Sequence, residues 1–554
     1  MAADREASYG AHRCGTAQPS YSDARRQVFL RPRTHPMHTT SPRRLLALTS
    51  LPLIAACADS VDVAPVLLDG VFSEWAQAAQ VLDDPADAPD AAIDIRSIRG
   101  LDEGPWLFLS IDLGREVNAQ SLPGTLHLLV DADDDPSTGE IRHGMHGVDI
   151  GLDVSQRRRP LVAGRGSGFS LSAFGGDDGL VGVTSHALRV TVAPTWSASR
   201  FELRMSRLGG SGFRALGGRI RLKAVYVEGE DVADETEVGV YEFRTAPSVP
   251  APGVAGRRLA RTEGSVRVAQ WNVAGRSFAA NPESFARILG ALAPDVVLMD
   301  EAPPSITPES METFFNLPPL RTLGEWRFVL GRTGGRQRTV VAARERGIRP
   351  AETMQTLHYP AGVLDELGHG LPEDFGRLLE AEQERGLSAT GAWVDVGGTE
   401  VLFVPVDLQS AGWAGSPHDR LRDLQARTLR DRVLVELGGA SAPVVIGGDL
   451  NLVGSPRPLG TLIEGLDTDG SDLHPVDARR LGERTYATWR NAEGLFAPGR
   501  LDFLLVPDAA VEVDNAFVFA TEDLNRETLN RLGLAQAESR VSDHLPVVAD
   551  LRIR

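Results

Sequence analysis

The chain has 554 residues, and its 57 lysines and arginines against 75 aspartates and glutamates give a formal net charge of −18. This balance excludes a protein that holds nucleic acid through bulk positive charge. With 42% hydrophobic and 24% charged residues, the composition is that of a globular protein, and the length predicts more than one domain.

The first predicted element is a signal peptide at residues 37–57. Two arginines precede an apolar stretch, residues 45–56, that is too short to span a bilayer and ends in small residues before Cys57. The end of this segment resembles the lipobox of bacterial lipoproteins, whose cysteine is lipidated. A buried helix of a cytosolic protein is the less favoured alternative, because Pro52 interrupts the stretch. We expect an exported, lipid-anchored chain in the cell envelope, periplasmic or at the cell surface, and expect residues 1–36 to be an upstream extension.

Residues 64–245 predict an all-β sandwich. Short runs of alternating apolar and polar residues are separated by clusters of turn residues, which is typical of strands with one buried face. These runs lie at 105–113, 125–133, 148–154, 188–194, 219–228 and 238–243.

Two short motifs in this region resemble family 9 carbohydrate-binding modules. The letters DG at residues 69–70 are followed by EW at residues 74–75, and an acidic turn begins at Asp131. The resemblance implies a binding domain with a possible carbohydrate partner. Three carboxylates of the turn could bind Ca²⁺ through hard oxygen ligands, namely Asp131, Asp133 and Asp135. A solvated turn is an equal alternative, since turns commonly use Asp and Gly.

A proline-bearing segment without apolar periodicity, residues 246–262, predicts a linker to a second domain at residues 263–554. Apolar strands and amphipathic helices alternate in this second domain, which predicts an α/β fold. Predicted strands lie at 266–273, 295–299, 400–406, 443–446, 500–506 and 545–553, and predicted helices at 282–292 and 417–437.

Polar side chains recur at or just past the ends of these apolar strands. Burying an unpaired charge is unfavourable, so a carboxylate at such a position must leave the core. A single Asp there is usually a turn or a helix cap, but a series of five blocks favours a common site. Convergent oxygen ligands with a histidine suit Mg²⁺ or Mn²⁺. The residues are Asn272, Asp300, Glu301, Asp449, Asn451, Asp502, Asp543 and His544.

These blocks, in this order, resemble the endonuclease/exonuclease/phosphatase superfamily over residues 265–554. The letters GDLN at residues 448–451 and SDH at residues 542–544 carry most of the resemblance. It implies a four-layer fold, in which two packed β-sheets are flanked by helices, with the site at one end of the sandwich. It also implies that Asn272 and Glu301 bind the metal, and that Asp449 and Asn451 position the attacking water and the phosphate.

The same resemblance assigns the catalytic histidine to His544, oriented by Asp502. Asp543 would add a metal contact or pair with the base. The sequence leaves open whether Asp449 or His544 is the general base, and whether one metal ion or two are bound.

The sequence departs from the family pattern at Asp407, where many members carry a histidine that contacts the scissile phosphate. Three explanations stay open: Asp407 binds a metal ion, the substrate differs from that of the histidine-bearing members, or His418 at the start of the next helix makes the phosphate contact instead. Arg336 and Arg338 are candidates to meet a phosphate from a loop, with solvated loop arginines as the equal alternative.

We therefore expect an exported monomer that hydrolyses phosphoesters with a divalent metal and an activated water. Its substrate would be a nucleic acid, a phospholipid headgroup or a small phosphoester, and the acidic composition disfavours a nonspecific nuclease. The rival hypothesis is a surface protein that binds a glycan or a partner and carries a degenerate, inactive hydrolase domain. Asp407 is the feature that favours this rival.

Overall fold

The computed structural model describes residues 67–155, 168–174, 179–183, 188–209, 213–247, 258–371, 373–482, 484–491 and 496–554. The predicted signal peptide with Cys57, residues 1–36 and most of the predicted linker lie outside the described residues. Residues 62–554 form one compact unit. Within the described part of the chain, no helix combines the length and the apolar character that a membrane crossing requires.

The N-terminal region, residues 67–247, consists mainly of strands. The strands are β1 (Ala79–Asp83), β2 (Ser97–Glu103), β3 (Trp106–Val117), β4 (Thr125–Asp131), β5 (Glu140–Arg142), β6 (Met145–Val148), β7 (Ile150–Val154), β8 (Phe169–Phe174), β9 (Leu180–Val183), β10 (Thr191–Ala193), β11 (Ala198–Ser206), β12 (Arg219–Glu228), β13 (Asp231–Glu235) and β14 (Gly239–Glu242). One sheet has the order β1-β2-β3-β11-β10 and the other β13-β12-β4-β7-β8-β9, with β14 also paired to β12.

A single apolar core joins these two sheets. β12 alternates as predicted, because Ile220, Leu222 and Ala224 are fully buried while Arg219 is exposed. Leu109 of the facing sheet belongs to the same cluster. The all-β sandwich expected from the sequence is therefore confirmed.

The C-terminal region, residues 258–554, contains two further sheets. Its strands are β15 (Val266–Asn272), β16 (Val296–Ala302), β17 (Trp326–Leu330), β18 (Arg338–Arg344), β19 (Ile348–Pro350), β20 (Ala392–Val396), β21 (Thr399–Asp407), β22 (Val444–Asp449), β23 (His474–Pro475), β24 (Arg479–Arg480), β25 (Asp502–Val506), β26 (Val511–Val518) and β27 (Val547–Ile553). The orders are β17-β18-β16-β15-β27-β26-β24 and β19-β20-β21-β22-β25-β23.

Helices cover the outer faces of these sheets, so the predicted α/β fold with two packed sheets is also confirmed. One apolar cluster lies between the sheets, and two others lie between a sheet and its helices. The helices are α1 (Gly275–Ala280), α2 (Pro282–Leu292), α3 (Pro308–Phe315), α4 (Pro318–Arg321), α5 (Val363–Gly368), α6 (Glu373–Arg385), α7 (Pro417–Leu437), α8 (Arg457–Ile463) and α9 (Arg526–Leu532).

Helices α2 and α7 have the bounds that the sequence predicts, because their ends carry strong local signals. Both have proline in the first turn, where its missing N–H is not needed. The Ser416 side chain caps α7 by accepting from the Asp419 backbone N–H, and Gly438 ends the helix in the left-handed conformation.

Strand register brings the polar residues of different strands to one end of the packed sheets. β15 and β16 are parallel, with Asn272 opposite Asp300. In the second sheet Asp407, Asp449 and Asp502 lie side by side, because β21 pairs parallel to β22 and β22 pairs antiparallel to β25. The fold therefore gathers these side chains in one place.

Candidate active site

Three carboxylates, those of Glu301, Asp407 and Asp449, converge at the strand ends. An oxygen atom of each lies within 4.8 Å of the other two. Asp407 and Asp449 are buried and Glu301 is half-buried. Oxygen donors alone, held this close together, are the donor set that Mg²⁺ or Mn²⁺ prefers, so the residues present fit such an ion. Asp407, the departure from the family pattern, belongs to this group.

The backbone is strained at two of the site residues. Glu301 has φ +51° and Asn451 has φ +49°, in the left-handed region that side chains with a Cβ rarely adopt. β16 is also irregular between Met299 and Ala302, where its register to β18 shifts. Such strain persists where the surrounding structure imposes it, and here it turns both side chains toward the site.

Two carboxamides hold the carboxylates in place. The Asn272 amide donates to Glu301 Oε1 at 3.1 Å and to Asp449 Oδ2 at 3.3 Å. The Asn451 amide donates to Asp407 Oδ1 at 3.2 Å, and its backbone N–H donates to Asp449 Oδ1 at 2.8 Å. Asn272 therefore touches the predicted metal ligand Glu301, and Asn451 joins two of the three acidic residues.

His544 lies beside this group and is oriented as predicted. Its Nδ1 is 2.8 Å from Asp502 Oδ2, and its Nε2 is 3.7 Å from Asp449 Oδ2. Because Asp502 engages Nδ1, Nε2 is the nitrogen available for chemistry. The Ser542 hydroxyl fixes the turn, since it donates to the Asn272 carbonyl and accepts from the His544 backbone N–H.

Burial and the neighbouring charges together raise the pKa values of Asp449, Asp407 and His544. Burial raises the pKa of Asp449 to about 8, against the attraction of His544 and together with the repulsion of nearby carboxylates. Burial and the charge of Asp449 also raise the pKa of Asp407 well above its usual range. For His544, burial alone would lower the pKa, but Asp502 and Asp449 hold it well above its ordinary value. The acidic site therefore favours a bound cation.

Sequence reasoning missed Gln270, which links the two sheets. Its side-chain amide donates to Asp300 Oδ1 at 3.0 Å and to Asp502 Oδ1 at 3.3 Å. Asp300 is fully buried, and burial with repulsion from Asp502 raises its pKa well above the usual range. Gln270 lies two residues before Asn272, so the strand period of two was the available signal.

Asp543, which the sequence predicts to add a metal contact or to pair with the base, is hydrogen-bonded to a tryptophan in the structure. Its Oδ2 accepts from the Trp489 indole N–H at 3.1 Å, and it lies outside the convergent group of Glu301, Asp407 and Asp449. Asp543 still lines the cavity above the site. The indole bond explains its position, because it holds the carboxylate on the cavity wall.

The two loop arginines, Arg336 and Arg338, lie in different pockets. Arg336 lines the cavity that contains the site, as does His418. Arg338 instead begins β18, where its guanidinium donates to the Arg332 carbonyl, and it lines a different pocket. Of these two candidates for a phosphate contact, the described residues bring only Arg336 to the site.

This arrangement coincides with the region in which the sequence matches a known family. The Endonuclease/Exonuclease/phosphatase family matches residues 269–544, from the strand that carries Asn272 to the catalytic histidine candidate His544. The match covers just under half of the chain, so this region is similar to that family. No curated protein shows a significant match to the chain.

The chain is also similar, at low sequence identity, to solved structures. The human Nocturnin catalytic domain with bound sulfate has 16% identity and a TM-score of 0.35, covering 55% of this chain and 100% of its own. Truncated Caenorhabditis elegans TDP2 has 17% identity and a TM-score of 0.35, covering 53% and 100%. A Bacteroides thetaiotaomicron mannosyl-6-phosphatase has 15% identity and a TM-score of 0.33, covering 52% and 100%.

The predicted calcium turn of the N-terminal region is rearranged. Asp131 and Asp133 converge with Asp149 rather than with Asp135, whose carboxylate accepts instead from Ser137. Arg221 donates twice to Asp131 Oδ2, at 2.9 and 2.6 Å, and Arg214 pairs with Asp133. These guanidinium groups supply positive charge that Ca²⁺ would otherwise provide, which favours the alternative of a structural turn. Binding of Ca²⁺ at this turn stays a prediction.

Proposed function

We propose that this protein is a divalent-metal-dependent phosphoester hydrolase. The observation that carries the proposal is the convergence of Glu301, Asp407 and Asp449 beside the pair formed by His544 and Asp502. A surface-binding protein with a degenerate hydrolase domain would not need both groups, and Asp407 contributes to the cluster rather than interrupting it.

The residues of the site have different roles in the proposed reaction. Glu301, Asp407 and Asp449 would hold the metal, which supplies positive charge for the phosphoryl oxygens and the leaving group. The two amides of Asn272 and Asn451 keep the carboxylates aligned. His544, kept protonated by its two carboxylate neighbours, donates from Nε2 to a phosphoryl or leaving oxygen.

Removal of divalent metal is expected to abolish hydrolysis by the purified chain. Without a cation the buried carboxylates repel one another and the anionic substrate, so chelation should stop the reaction and Mg²⁺ or Mn²⁺ should restore it. The measurement compares bis-p-nitrophenyl phosphate, plasmid DNA and sphingomyelin with each metal and with EDTA. Equal rates in EDTA and in metal would contradict the proposal.

We also propose that the protein is exported and anchored by a lipid on Cys57, which the signal-peptide pattern of residues 37–57 supports. Expression of the full chain in a bacterial host should place it in the membrane fraction. Cys57→Ser should move it to the soluble fraction, because the lipid supplies the attachment. Equal membrane association of both forms would argue against the lipid anchor.

A further inference from the structure

The cavity above the site is built by both regions of the chain. It has a volume of about 770 Å³ and contains Glu301, Asp407 and His544 on its wall. The N-terminal sandwich supplies another part of the wall through the loop 118–121, between β3 and β4, and through residues close to β10 and β11. The sandwich is therefore part of the site's surroundings and not a separate module.

Asn118 fixes the sandwich loop to two loops of the C-terminal region. Its side-chain amide donates to the carbonyls of Val453 and Gly454, at 3.0 and 3.1 Å. Its side-chain oxygen accepts from the Ala414 backbone N–H at 2.7 Å. Val453 follows Asn451 by two residues, so this contact is made directly beside the site.

Further hydrogen bonds join the sandwich to the C-terminal region beside the cavity. Gln120 Oε1 accepts from the Ala497 backbone N–H at 2.8 Å, and the Thr195 hydroxyl donates to the Leu452 carbonyl at 2.6 Å. Gly499 allows a close approach here, because a Cβ at that position would lie 2.2 Å from Thr195 Cγ2. The hydrogen bonds of Asn118 and Gln120 therefore hold the loop 118–121 in one position, and that of Thr195 holds the adjoining part of the sandwich.

The charges on the cavity wall suit one phosphate group rather than a nucleic-acid backbone. Two arginines, Arg336 and Arg385, line the cavity that also contains the carboxylates of the site. A nucleic-acid strand is bound by a row of basic residues that neutralise successive phosphates over a large surface. Two guanidinium groups in an acidic cavity can meet a single phosphate instead.

Apolar side chains from both regions also line the cavity. Val192, Pro194 and Phe201 come from the sandwich, and Trp413 and Phe496 from the C-terminal region. Cavities of this size hold small molecules whose apolar part packs on such side chains. The wall therefore matches the organic part of a small ester.

We propose that the N-terminal sandwich determines substrate specificity, and that the substrate is a small phosphoester with an apolar or aromatic organic group. Val192, Pro194 and Phe201 of the sandwich form the surface on which that group packs, and the loop 118–121 forms another part of the same wall. This inference rests on the proposed function, since it concerns the substrate of the same site.

The test compares substrates and two loop variants in the purified full chain with Mg²⁺ or Mn²⁺. The wild type should hydrolyse bis-p-nitrophenyl phosphate and leave duplex plasmid DNA uncut. Ser121→Trp fills the cavity and should raise KM for the small diester by about 10-fold or more, with a smaller change in kcat. Gln120→Glu keeps size and the acceptor for Ala497 while adding a negative charge, and should raise KM by about 5-fold.

Ser73→Trp is the matched control, since Ser73 is exposed on the same region away from the cavity, and its KM should equal that of the wild type. Efficient plasmid cleavage, or an unchanged KM in folded Ser121→Trp and Gln120→Glu, would overturn the specificity inference alone. Absence of metal-dependent hydrolysis of every phosphoester by the wild type would overturn the proposed function, and the inference with it.

Discussion

Glu301→Gln is expected to lower kcat for bis-p-nitrophenyl phosphate by about 10³-fold or more, because metal stabilisation of transition-state charge is worth several kcal/mol. The substitution removes one charge from the group of Glu301, Asp407 and Asp449 but keeps the shape of the side chain. The amide of Asn272 would also lose its carboxylate acceptor. Rates at saturating metal, together with the metal concentration for half-maximal rate, measure the effect.

Glu309→Gln is the matched control, because Glu309 is an exposed residue in the first turn of α3. Its activity should equal that of the wild type. Thermal unfolding of Glu301→Gln should show an intact fold, since the removed charge lies among like charges. Retention of wild-type kcat by Glu301→Gln would remove the metal site from the mechanism.

His544→Ala is expected to lower kcat by about 10²- to 10⁴-fold, the usual range for loss of a positioned acid or base. Asp502→Asn tests the orientation of that histidine through a different observable. Because Asp502 and Asp449 hold the pKa of His544 above its ordinary value, loss of the Asp502 charge should lower that pKa. If protonated His544 is the active form, activity of Asp502→Asn should be lost at a lower pH than in the wild type.

The pH profile separates this role from a purely structural one. A loss of rate with an unshifted basic limb would show that Asp502 acts without tuning His544. His474→Ala serves as the control for a histidine, because His474 is exposed on β23. It should leave both kcat and the pH profile unchanged.

The site residues at the strand ends were predictable from the sequence because the signal depends only on neighbouring residues. A carboxylate at either end of an apolar run cannot stay in the core unpaired, and this singled out Asp449 at the end of β22 and Asp502 at the start of β25. The bounds of α2 and α7 were equally predictable, from the proline in the first turn of each helix and from Ser416 and Gly438 at the ends of α7. Strands such as β17 and β20 were not predicted, since short apolar runs among turns carry weak periodicity.

The remaining parts of the site depend on contacts between distant residues. Gln270 reaches Asp502 across the two sheets, 232 residues away, and no local pattern reveals its partner. Asn118 contacts Gly454 across 336 residues, so the sequence could predict a sandwich but not that its loop borders the cavity. Which of the acidic residues converge was likewise a matter of strand register, which placed Asp407 beside Asp449.

The close approach of Thr195 to Gly499 limits which substitutions this protein can accept during evolution. Any side chain at residue 499 would meet Thr195, and the carbonyl of Leu452 receives its hydrogen bond from the same threonine. A sandwich transplanted from another protein would have to reproduce this backbone-to-side-chain match or displace the loop that carries Asn451. The two regions are therefore expected to be inherited as a pair. A substitution on the sandwich side of their contact should be accompanied by a compensating substitution on the C-terminal side.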